Sequence, residues 1–457
     1  MEENQKLPVK VKLGFGIGDV GGNLYFTVVA FWLLNYFTDT VGLAAGIAGV
    51  AFGIGKVWDA ITDPLMGFIS DRTRTRWGRR RPYLLFGSFI WFIAMIILFT
   101  NPRLSNPAAL FVWAVAAYCL LSTAFTVVNV PYSSLTPELT KDYHERSSLN
   151  GYRAVFMVIG TLIGAGAALP LINALPNKNI GFSVMGIIFG AVMMGATLVT
   201  FFSVREPELT EASKPKTAFL KSYLCVFKTK PFIFILLTYM MCMVGVSIVS
   251  ATMIYYFKYI QEKENLTTIA LLILLVTAMI FIPVAVRISK RIGKKTTYAV
   301  GVLIMAVACM LVFALGHQLG TTFVFVMMFI AGIGLSTHYP MPWAMIPDTV
   351  EYGYLQTGER MEGGYYGVWT LFSKAGQGLL ALPLVGLILQ VTGYIPEVAQ
   401  TPLAQLGIRL MFGPVAGVFF VAAAVLLAFY PLNEKRYAEL QERIKEMEKE
   451  RKIQPGS

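Results

Sequence analysis

Long apolar runs alternate with short polar connections along the whole chain. The runs begin near Gly14, Val41, Pro82, Leu110, Val155, Ile180, Pro231, Thr267, Tyr298, Thr321, Tyr365 and Leu406. Because a helix needs about 20 mostly apolar residues to cross a bilayer, each run predicts one transmembrane helix. A longer polar interval after the sixth run divides the twelve predicted helices into two sets of six.

The pattern therefore predicts an all-α membrane protein built from two related halves. Six-helix bundles are expected at residues 1–204 and 231–432, with a cytoplasmic linker at 205–230 and a cytoplasmic tail helix at 433–457. The basic turn Trp77-Gly78-Arg79-Arg80 after the second run and the turn Ile292-Gly293-Lys294-Lys295 after the eighth occupy corresponding places. Such a correspondence indicates that the halves are structural repeats.

Composition and charge agree with this membrane organisation. The chain of 457 residues is 56% hydrophobic and 14% charged, with a mean hydropathy of +0.62, whereas soluble domains are roughly 25% charged. The net charge of +12 is concentrated in alternate connections: six arginines lie between residues 72 and 81, while residues 39–43 contain no Lys or Arg. The positive-inside rule then places both termini in the cytoplasm. This topology explains the positive net charge, so we expect no nucleic acid partner.

Motifs of catalysis and cofactor binding are missing from the sequence. Gly16 to Gly21 spells GxGxxG, but no strand precedes it and an apolar span follows, so a dinucleotide site is not indicated. These glycines, like Gly160 and Gly164, are expected to allow close helix packing. The sequence has no Walker loop or HExxH motif, its three histidines begin no HxxxxD motif, and its four cysteines form no CxxC pair. We therefore expect neither an enzyme nor a resident cofactor.

Two carboxylates inside a predicted span are the strongest chemical signal. Asp59 and Asp63 lie four residues apart in KVWDAITDP, so they share one helix face. Like charges so close together, away from water, favour a bound proton or cation between them. The pair predicts a coupling-ion site for sodium or a proton, with both carboxylates as the ligands if the ion is the metal sodium. The alternative is that one aspartate pairs with a cationic side chain, for which Lys374 in the eleventh run is the candidate.

Further polar and aromatic side chains suit a sugar. Thr126 and Asn129 present oxygens on one face of the fourth span, either toward the cation or toward a neighbouring helix. Arg153, at the start of the fifth span, is expected to face a cytoplasmic cavity or to reach a substrate. Amides and flat rings that could hold sugar hydroxyls and C–H faces are supplied by Asn23, Tyr25, Trp32, Tyr132, Tyr339, Trp343, Tyr366 and Trp369. For any single ring the alternative is a lipid-facing or core position.

Several of these segments together resemble one family. GxxxDR at Gly67 to Arg72, continuing into WGRRRP, is similar to the motif between the second and third helices of the major facilitator superfamily. With DAITDP, NVPYSSL, DTVEYG and WTLFSKAGQG, the whole chain resembles the glycoside-pentoside-hexuronide cation symporters. The resemblance implies alternating access by two six-helix bundles, symport of a sugar with sodium, lithium or a proton, a monomer, and a location in the bacterial inner membrane.

The resemblance also implies roles for particular residues. Asp59, Asp63 and Thr126 match the family's cation site, with Asn129 beside it, and Lys374 matches a neighbouring lysine that serves coupling and substrate binding. The positions that match the family's sugar site are Asn23, Asn129, Arg153, Tyr339 and Thr370, to which we add Tyr132 and Trp343. Asp71, Arg72 and Arg79 fall in the motif that implies a gating loop.

The chain departs from the melibiose-carrying members at two sugar positions. Asn23 and Asn129 stand where those members have aspartates. Losing two carboxylates removes repulsion toward an anionic sugar, so a uronide is expected, and GIGDVGGN and VVNVPYSSL look closer to the glucuronide permease branch. Two alternatives stay open: symport of a neutral pentoside, and transport of a lipid or lysolipid by the same fold.

Overall fold

The computed structural model describes residues 7–140, 143–206, 226–357, 362–432 and 434–453. The regular structure of these residues is helical, and the two-residue bridge between Thr75 and Gly78 is the one β contact found among them. Residues 207–225 of the predicted linker lie outside the described residues. The all-α prediction is confirmed.

The helices of the first part of the chain are α1 Val9–Gly16, α2 Gly18–Asn35, α3 Ala45–Arg72, α4 Arg81–Phe99, α5 Pro107–Leu139, α6 Tyr143–Asn173 and α7 Lys178–Ser203. Those of the second part are α8 Lys230–Tyr259, α9 Thr267–Ile292, α10 Lys294–His338, α11 Pro340–Thr357, α12 Glu362–Gly376, α13 Leu382–Val391, α14 Pro402–Leu410, α15 Ala416–Phe429 and α16 Glu434–Ile453. Short π-helical turns occur at Tyr36–Thr40, Gln377–Ala381 and Met411–Val415, and a 3-10 turn at Glu264–Leu266.

Ten helical segments among the described residues are long and apolar enough to cross a membrane. Helix α3 is not one of the ten, although it has 28 residues, and it carries Lys56, Asp59 and Asp63 along its length. One of the ten, Lys294–Thr357, covers both α10 and α11 in 64 residues. Within α10, Gly320 has a φ of 74°, which interrupts the regular helix.

The described residues group by contact into two compact units. Unit 1 comprises those within Met1–Ala212, Ser250–Leu272 and Gly378–Arg409, and unit 2 those within Ser213–Val249, Ile273–Gln377 and Leu410–Ser457. The sequence division at residues 204 and 231 stays a prediction. Each unit is described by itself.

Glycines allow the helices of unit 1 to approach closely, as the sequence predicts. A Cβ atom added at Gly160 of α6 would clash with the backbone of Val20 in α2, and one at Gly164 would lie 2.8 Å from Thr27 Cβ. In the GxGxxG segment, a Cβ at Gly18 would lie 2.6 Å from the ring of Tyr132. These contacts confirm the packing role of the glycines, because no larger residue fits at the crossings.

Local sequence signals explain where helices begin. The Asn106 side chain accepts a 2.9 Å hydrogen bond from the Ala108 amide, and Pro107 occupies the first helical position of α5. Asn177 caps α7 in the same way through the Asn179 amide. Both arrangements satisfy backbone amides that have no partner within the helix.

Unit 2 contains the long helix α10, and the tail helix α16 packs on α11. Tyr437 Oη donates a 2.6 Å hydrogen bond to Glu351 Oε2, and Gln441 donates to the same carboxylate. Leu440 and Ile444 of α16 are 5% and 6% exposed, so one apolar face of the tail is buried. The region where the sequence predicts a tail helix is thus helical over Glu434–Ile453.

Candidate functional site

The two carboxylates of α3 meet one hydroxyl of α5. Thr126 Oγ1 lies 3.2 Å from Asp59 Oδ1 and 2.9 Å from Asp63 Oδ1. Asp59 and Thr126 are each 1% exposed, and Asp63 is half-buried. The spacing of four residues places both acids on one helix face, and the packing of α3 on α5 brings the hydroxyl to that face. We call Asp59, Asp63 and Thr126 the carboxylate site.

A buried lysine lies on the same helix as the carboxylate site. Lys56 is 5% exposed, and its Nζ lies 5.8 Å from the centre of the Phe26 ring and 5.9 Å from that of Phe52. A Cβ atom added at Gly378 would lie 2.6 Å from Lys56 Cβ, so a glycine is needed where the π-helical turn meets α3. Sequence reasoning missed Lys56, although its spacing of three and seven residues from the two aspartates was a usable signal.

The donor set fits a monovalent cation or a proton. The formal charges of Asp59, Asp63 and Lys56 sum to −1. Carboxylate and hydroxyl oxygens are hard ligands of the kind that alkali and alkaline-earth cations prefer. Removal of an ionised group from water costs free energy. Charged residues near the middle of an apolar helix therefore indicate a functional role.

The predicted sugar-binding amides lie on α2 and α5 of unit 1. Asn23 Nδ2 donates a 2.9 Å hydrogen bond to the Asp19 carbonyl oxygen one turn earlier. Asn129 lies one turn beyond Thr126 and borders a cavity of about 10 Å³, which Gly22 and Tyr132 also line. A space of this size is about that needed by one water molecule.

Arg153 of α6 pairs with Asp19 of α2. Arg153 Nε lies 2.7 Å from Asp19 Oδ2, Nη2 lies 3.2 Å from Oδ1, and Nη1 donates a 3.1 Å hydrogen bond to Thr136 Oγ1. Tyr132 Oη lies 2.7 Å from Asp19 Oδ2 and 2.8 Å from the Phe15 carbonyl oxygen. The side chains of Arg153 and Asp19 are 20% and 8% exposed. The guanidinium group therefore forms an ion pair with a carboxylate of the protein itself.

Asp19 is a site residue that sequence reasoning missed. Its segment drew attention for the packing glycines of Gly16 to Gly21 and for the likeness of GIGDVGGN to the glucuronide permease branch, and neither assigns a role to Asp19. The available signal was an acidic residue inside an apolar run, the same signal that identifies Asp59 and Asp63. Arg153 and Tyr132 both contact Asp19, and their expected place near the substrate stays a prediction.

The remaining predicted sugar and coupling residues belong to unit 2. Tyr339 and Trp343 are 47% and 48% exposed, and the Trp343 ring stacks on that of Tyr366 at 6.2 Å. Thr370 Oγ1 donates a 3.0 Å hydrogen bond to the Tyr366 carbonyl oxygen within α12. Lys374 lies in the last turn of α12. The rings offer flat apolar surfaces, as a sugar requires.

The predicted gating loop is held by Glu206, which lies three residues beyond the end of α7. The Glu206 carboxylate accepts backbone hydrogen bonds from Arg79, Arg80 and Arg81 at 2.5, 2.7 and 2.7 Å. Gly78 has a φ of 107°, and a Cβ atom there would lie 2.6 Å from this carboxylate. Three amides at the start of α4 thus receive the negative charge that a helix N-terminus favours.

Two other predicted members of that loop lie at the end of α3. The Arg72 guanidinium lies 3.4 Å from the centre of the Phe68 ring. Asp71 belongs to α3, but its side chain lies outside the described part of the structure.

A second ion-pair cluster lies at the end of unit 1 where α2 finishes. Lys258 Nζ contacts Asp39 Oδ2 at 2.8 Å and Glu397 Oε1 at 2.7 Å, and Tyr394 Oη donates a 2.8 Å hydrogen bond to Asp39 Oδ1. Burial alone would raise the pKa of Glu397, but the hydrogen bond and charge of Lys258, with the charge of Lys178, lower it below its ordinary value. Sequence reasoning missed this cluster because its members come from distant segments.

The fold, with ten apolar helical segments among the described residues that are long enough to cross a membrane, is that of a polytopic membrane protein. Residues 14–434 match the family described as MFS/sugar transport protein. The chain belongs to this family, and within it to the glycoside-pentoside-hexuronide cation symporters.

Named relatives align with nearly the full length of this chain. An uncharacterized symporter of Bacillus subtilis, YnaJ, is 32% identical over 99% of this chain and 97% of its own. A putative sulfoquinovose importer of Salmonella typhimurium is 31% identical (97% and 94% covered), and the glucuronide carrier protein homolog of Escherichia coli is 30% identical (99% and 98% covered). A bacterial homologue of the lysosomal transporter Spinster, solved in an inward-facing conformation, shares the fold at a TM-score of 0.65 and 14% identity, with 96% and 97% covered.

Proposed function

We propose that Asp59, Asp63 and Thr126 hold the coupling cation of a sugar symporter. The observation that carries the proposal is the buried Thr126 hydroxyl, which contacts both carboxylates. Cation-coupled symport of a sugar or glycoside is the activity of the family to which this chain belongs. Binding of a cation or a proton neutralises the carboxylate site, and linkage requires that sugar and cation strengthen each other's binding equally.

The proposed topology has twelve transmembrane helices in two six-helix bundles. The ten segments become eleven if Gly320 divides Lys294–Thr357 into two spans, and α3 is the twelfth. The charged side chains of α3 are then the functional exception to an otherwise apolar set. Both termini face the cytoplasm by the distribution of basic residues, and the membrane is the bacterial inner membrane. The protein is a monomer and not an enzyme.

The coupling ion is sodium or a proton. Asp59 and Asp63 carry two formal negative charges against the one positive charge of Lys56, and binding of either ion adds a positive charge to this group. Sodium needs the oxygens of Asp59, Asp63 and Thr126 as ligands, whereas a proton needs only one carboxylate to accept it. Lys374 is proposed to assist coupling, as its match to the family's lysine implies.

An anionic glycoside is the favoured substrate class. Asn23 and Asn129 present amides, so no carboxylate at these positions repels an acidic sugar. Two relatives at 30% identity or above are named for a glucuronide and for sulfoquinovose, which are both acidic sugars, whereas the isoprimeverose transporter of Lactiplantibacillus pentosus is 27% identical. In unit 2 the proposed sugar-binding groups are Tyr339, Trp343, Thr370 and Lys374.

Transport by the purified protein in liposomes tests both parts. Counterflow of para-nitrophenyl glucuronide, a xyloside and an α-galactoside is compared with and without sodium at two pH values. Preference for the glucuronide supports the anionic class, and a sodium effect identifies the ion. Preference for a neutral glycoside overturns the anionic class alone, and movement of a lysolipid without any sugar counterflow overturns sugar symport.

Variants of α3 test the carboxylate site. Asp59→Cys and Asp63→Cys are expected to abolish uphill accumulation while some sugar binding remains. Thr62→Cys is the matched control, because it introduces the same thiol on α3 and keeps both carboxylates. Lys374→Ala is expected to damage coupling more than membrane insertion. Cation-dependent accumulation in both aspartate variants would contradict the assignment.

A further inference from the structure

Unit 2 contains a cavity that none of the proposed sugar-binding or cation-binding residues lines. Its volume is about 780 Å³, and it lies where α9 ends and α10 begins, beside the tail helix α16. Its described lining residues include Lys290, Lys294, Lys295 and, as the one acid among them, Asp348. We call it the lysine cavity. Its size falls within the range of small-molecule sites.

The charges of the lysine cavity do not balance. Lys294 Nζ contacts the two carboxylate oxygens of Asp348 at 2.8 and 3.0 Å, so this pair is neutral. Lys295 Nζ donates hydrogen bonds to the carbonyl oxygens of Ala428 and Tyr430, which carry no formal charge. Lys290 is an exposed residue at the end of α9. Among the described lining residues two positive charges therefore remain: Lys295 lies in the first turn of α10, where the helix dipole adds positive potential, and Lys290 lies in the last turn of α9.

An apolar groove adjoins the lysine cavity. It runs between α9 and α10 with a volume of about 90 Å³, and Val284, Ile288 and Val300 are among its lining residues. Ile292 lines both the groove and the cavity, so the two spaces meet at this residue. Val284, Ile288, Ile292 and Val300 are 39 to 48% exposed. In a transmembrane segment such side chains face the hydrocarbon of the bilayer.

We propose that the lysine cavity binds the phosphate of an anionic phospholipid, with an acyl chain in the groove between α9 and α10. The cavity supplies the charge that a phosphate requires, and the groove supplies an apolar path that begins at the cavity. Basic pockets at the cytoplasmic end of transmembrane helices suit such head groups. A free phosphate ion has the same charged group but no acyl chain to occupy the groove. Because Tyr437 of α16 also lines the cavity, bound lipid stabilises the docked tail.

Lipid binding to the purified full-length protein tests this proposal. Native mass spectrometry measures the apparent affinities for phosphatidylglycerol and for phosphatidylcholine with the same acyl chains. Lys290→Gln is expected to weaken phosphatidylglycerol binding about fivefold, as expected for one basic residue near a membrane surface. Arg291→Gln is the matched control, since it removes the same charge from an exposed neighbour that does not line the cavity.

A second pair of variants separates a lipid from free phosphate. Ile292→Trp fills the junction of cavity and groove and is expected to weaken phosphatidylglycerol binding, whereas Leu303→Trp, on α10 outside the groove, is not. Equal affinity for the two lipids, or equal loss in Lys290→Gln and Arg291→Gln, would overturn the proposal. If inorganic phosphate competes fully and Ile292→Trp has no effect, the cavity binds free phosphate and the lipid assignment is wrong.

Discussion

Arg153 and Asp19 form a bidentate ion pair, with Nε 2.7 Å from Oδ2 and Nη2 3.2 Å from Oδ1. The pair joins α6 to α2, and Tyr132 completes the hydrogen bonding of the carboxylate from α5. An arginine that is neutralised in this way offers no net charge to a sugar. The pair therefore fixes the position of α2, which carries Asn23, relative to α6.

Breaking this pair is expected to be more harmful than removing it entirely. Asp19→Asn or Arg153→Gln leaves one buried charge unpaired, which costs about 3 to 5 kcal/mol. The double variant leaves neither charge and is expected to recover part of that loss. Thermal unfolding of the detergent-solubilised proteins measures the difference. If the double variant loses as much stability as the two single variants together, the two residues are not energetically coupled.

Thr126 is expected to set the affinity for the coupling cation. Thr126→Val keeps the side-chain volume but removes a hydroxyl that contacts two carboxylates. A hydrogen bond to a charged group contributes about 1.5 to 3 kcal/mol, so the cation concentration for half-maximal uptake should rise roughly tenfold or more. Thr126→Ser keeps the hydroxyl and serves as the control. Unchanged cation dependence in Thr126→Val would remove the residue from the site.

Glu206 is expected to keep the loop before α4 ordered. Glu206→Gln removes the negative charge that three consecutive amides share, at a cost of about 1.5 to 3 kcal/mol. Trypsin should then cleave faster after Arg79 or Arg80, which limited proteolysis followed by peptide mapping measures. Glu442→Gln on the exposed side of α16 is the control. Cleavage at the control rate would mean that Glu206 does not restrain the loop.

Glu397 is expected to make stability fall in acid. Its pKa in the folded protein lies below the ordinary value of 4.5, because Lys258 and Lys178 outweigh the effect of burial. The ionised Glu397 carboxylate therefore contributes fully to the free energy of unfolding above the ordinary pKa. This contribution is lost as the pH falls through the lower pKa of the folded protein. Since its side chain is 50% exposed, the effect should stay within the ~1 kcal/mol of an exposed ion pair.

The unfolding midpoint of the native protein and of Glu397→Gln, followed from about pH 7 to pH 3, measures this effect. The unfolding midpoint of Glu397→Gln should fall less between about pH 7 and pH 3 than that of the native protein, because the variant lacks this carboxyl group. Glu446→Gln, in the tail helix, controls for the loss of one acidic residue. Identical pH profiles of the native protein and Glu397→Gln would contradict the prediction.

The sequence by itself determined the membrane class and the carboxylate pair, because both depend on local periodicity. The length and hydropathy of each run decide whether a helix can span, and the described parts of the chain contain ten such segments. Asp59 and Asp63 share a face because a helix repeats every 3.6 residues. The same reasoning could have identified Lys56 on α3 and Asp19 on α2 as charged residues inside apolar runs.

Only the tertiary structure decided which groups these charges meet. Thr126 is 67 residues from Asp59, Arg153 is 134 from Asp19, and Glu206 is 127 from Arg79. No periodicity relates such distant positions, since their contact depends on which helices pack together and how far each is rotated about its axis. Glycines such as Gly18 and Gly160 set these approaches, and it is the packed helices that turn scattered charges into pairs.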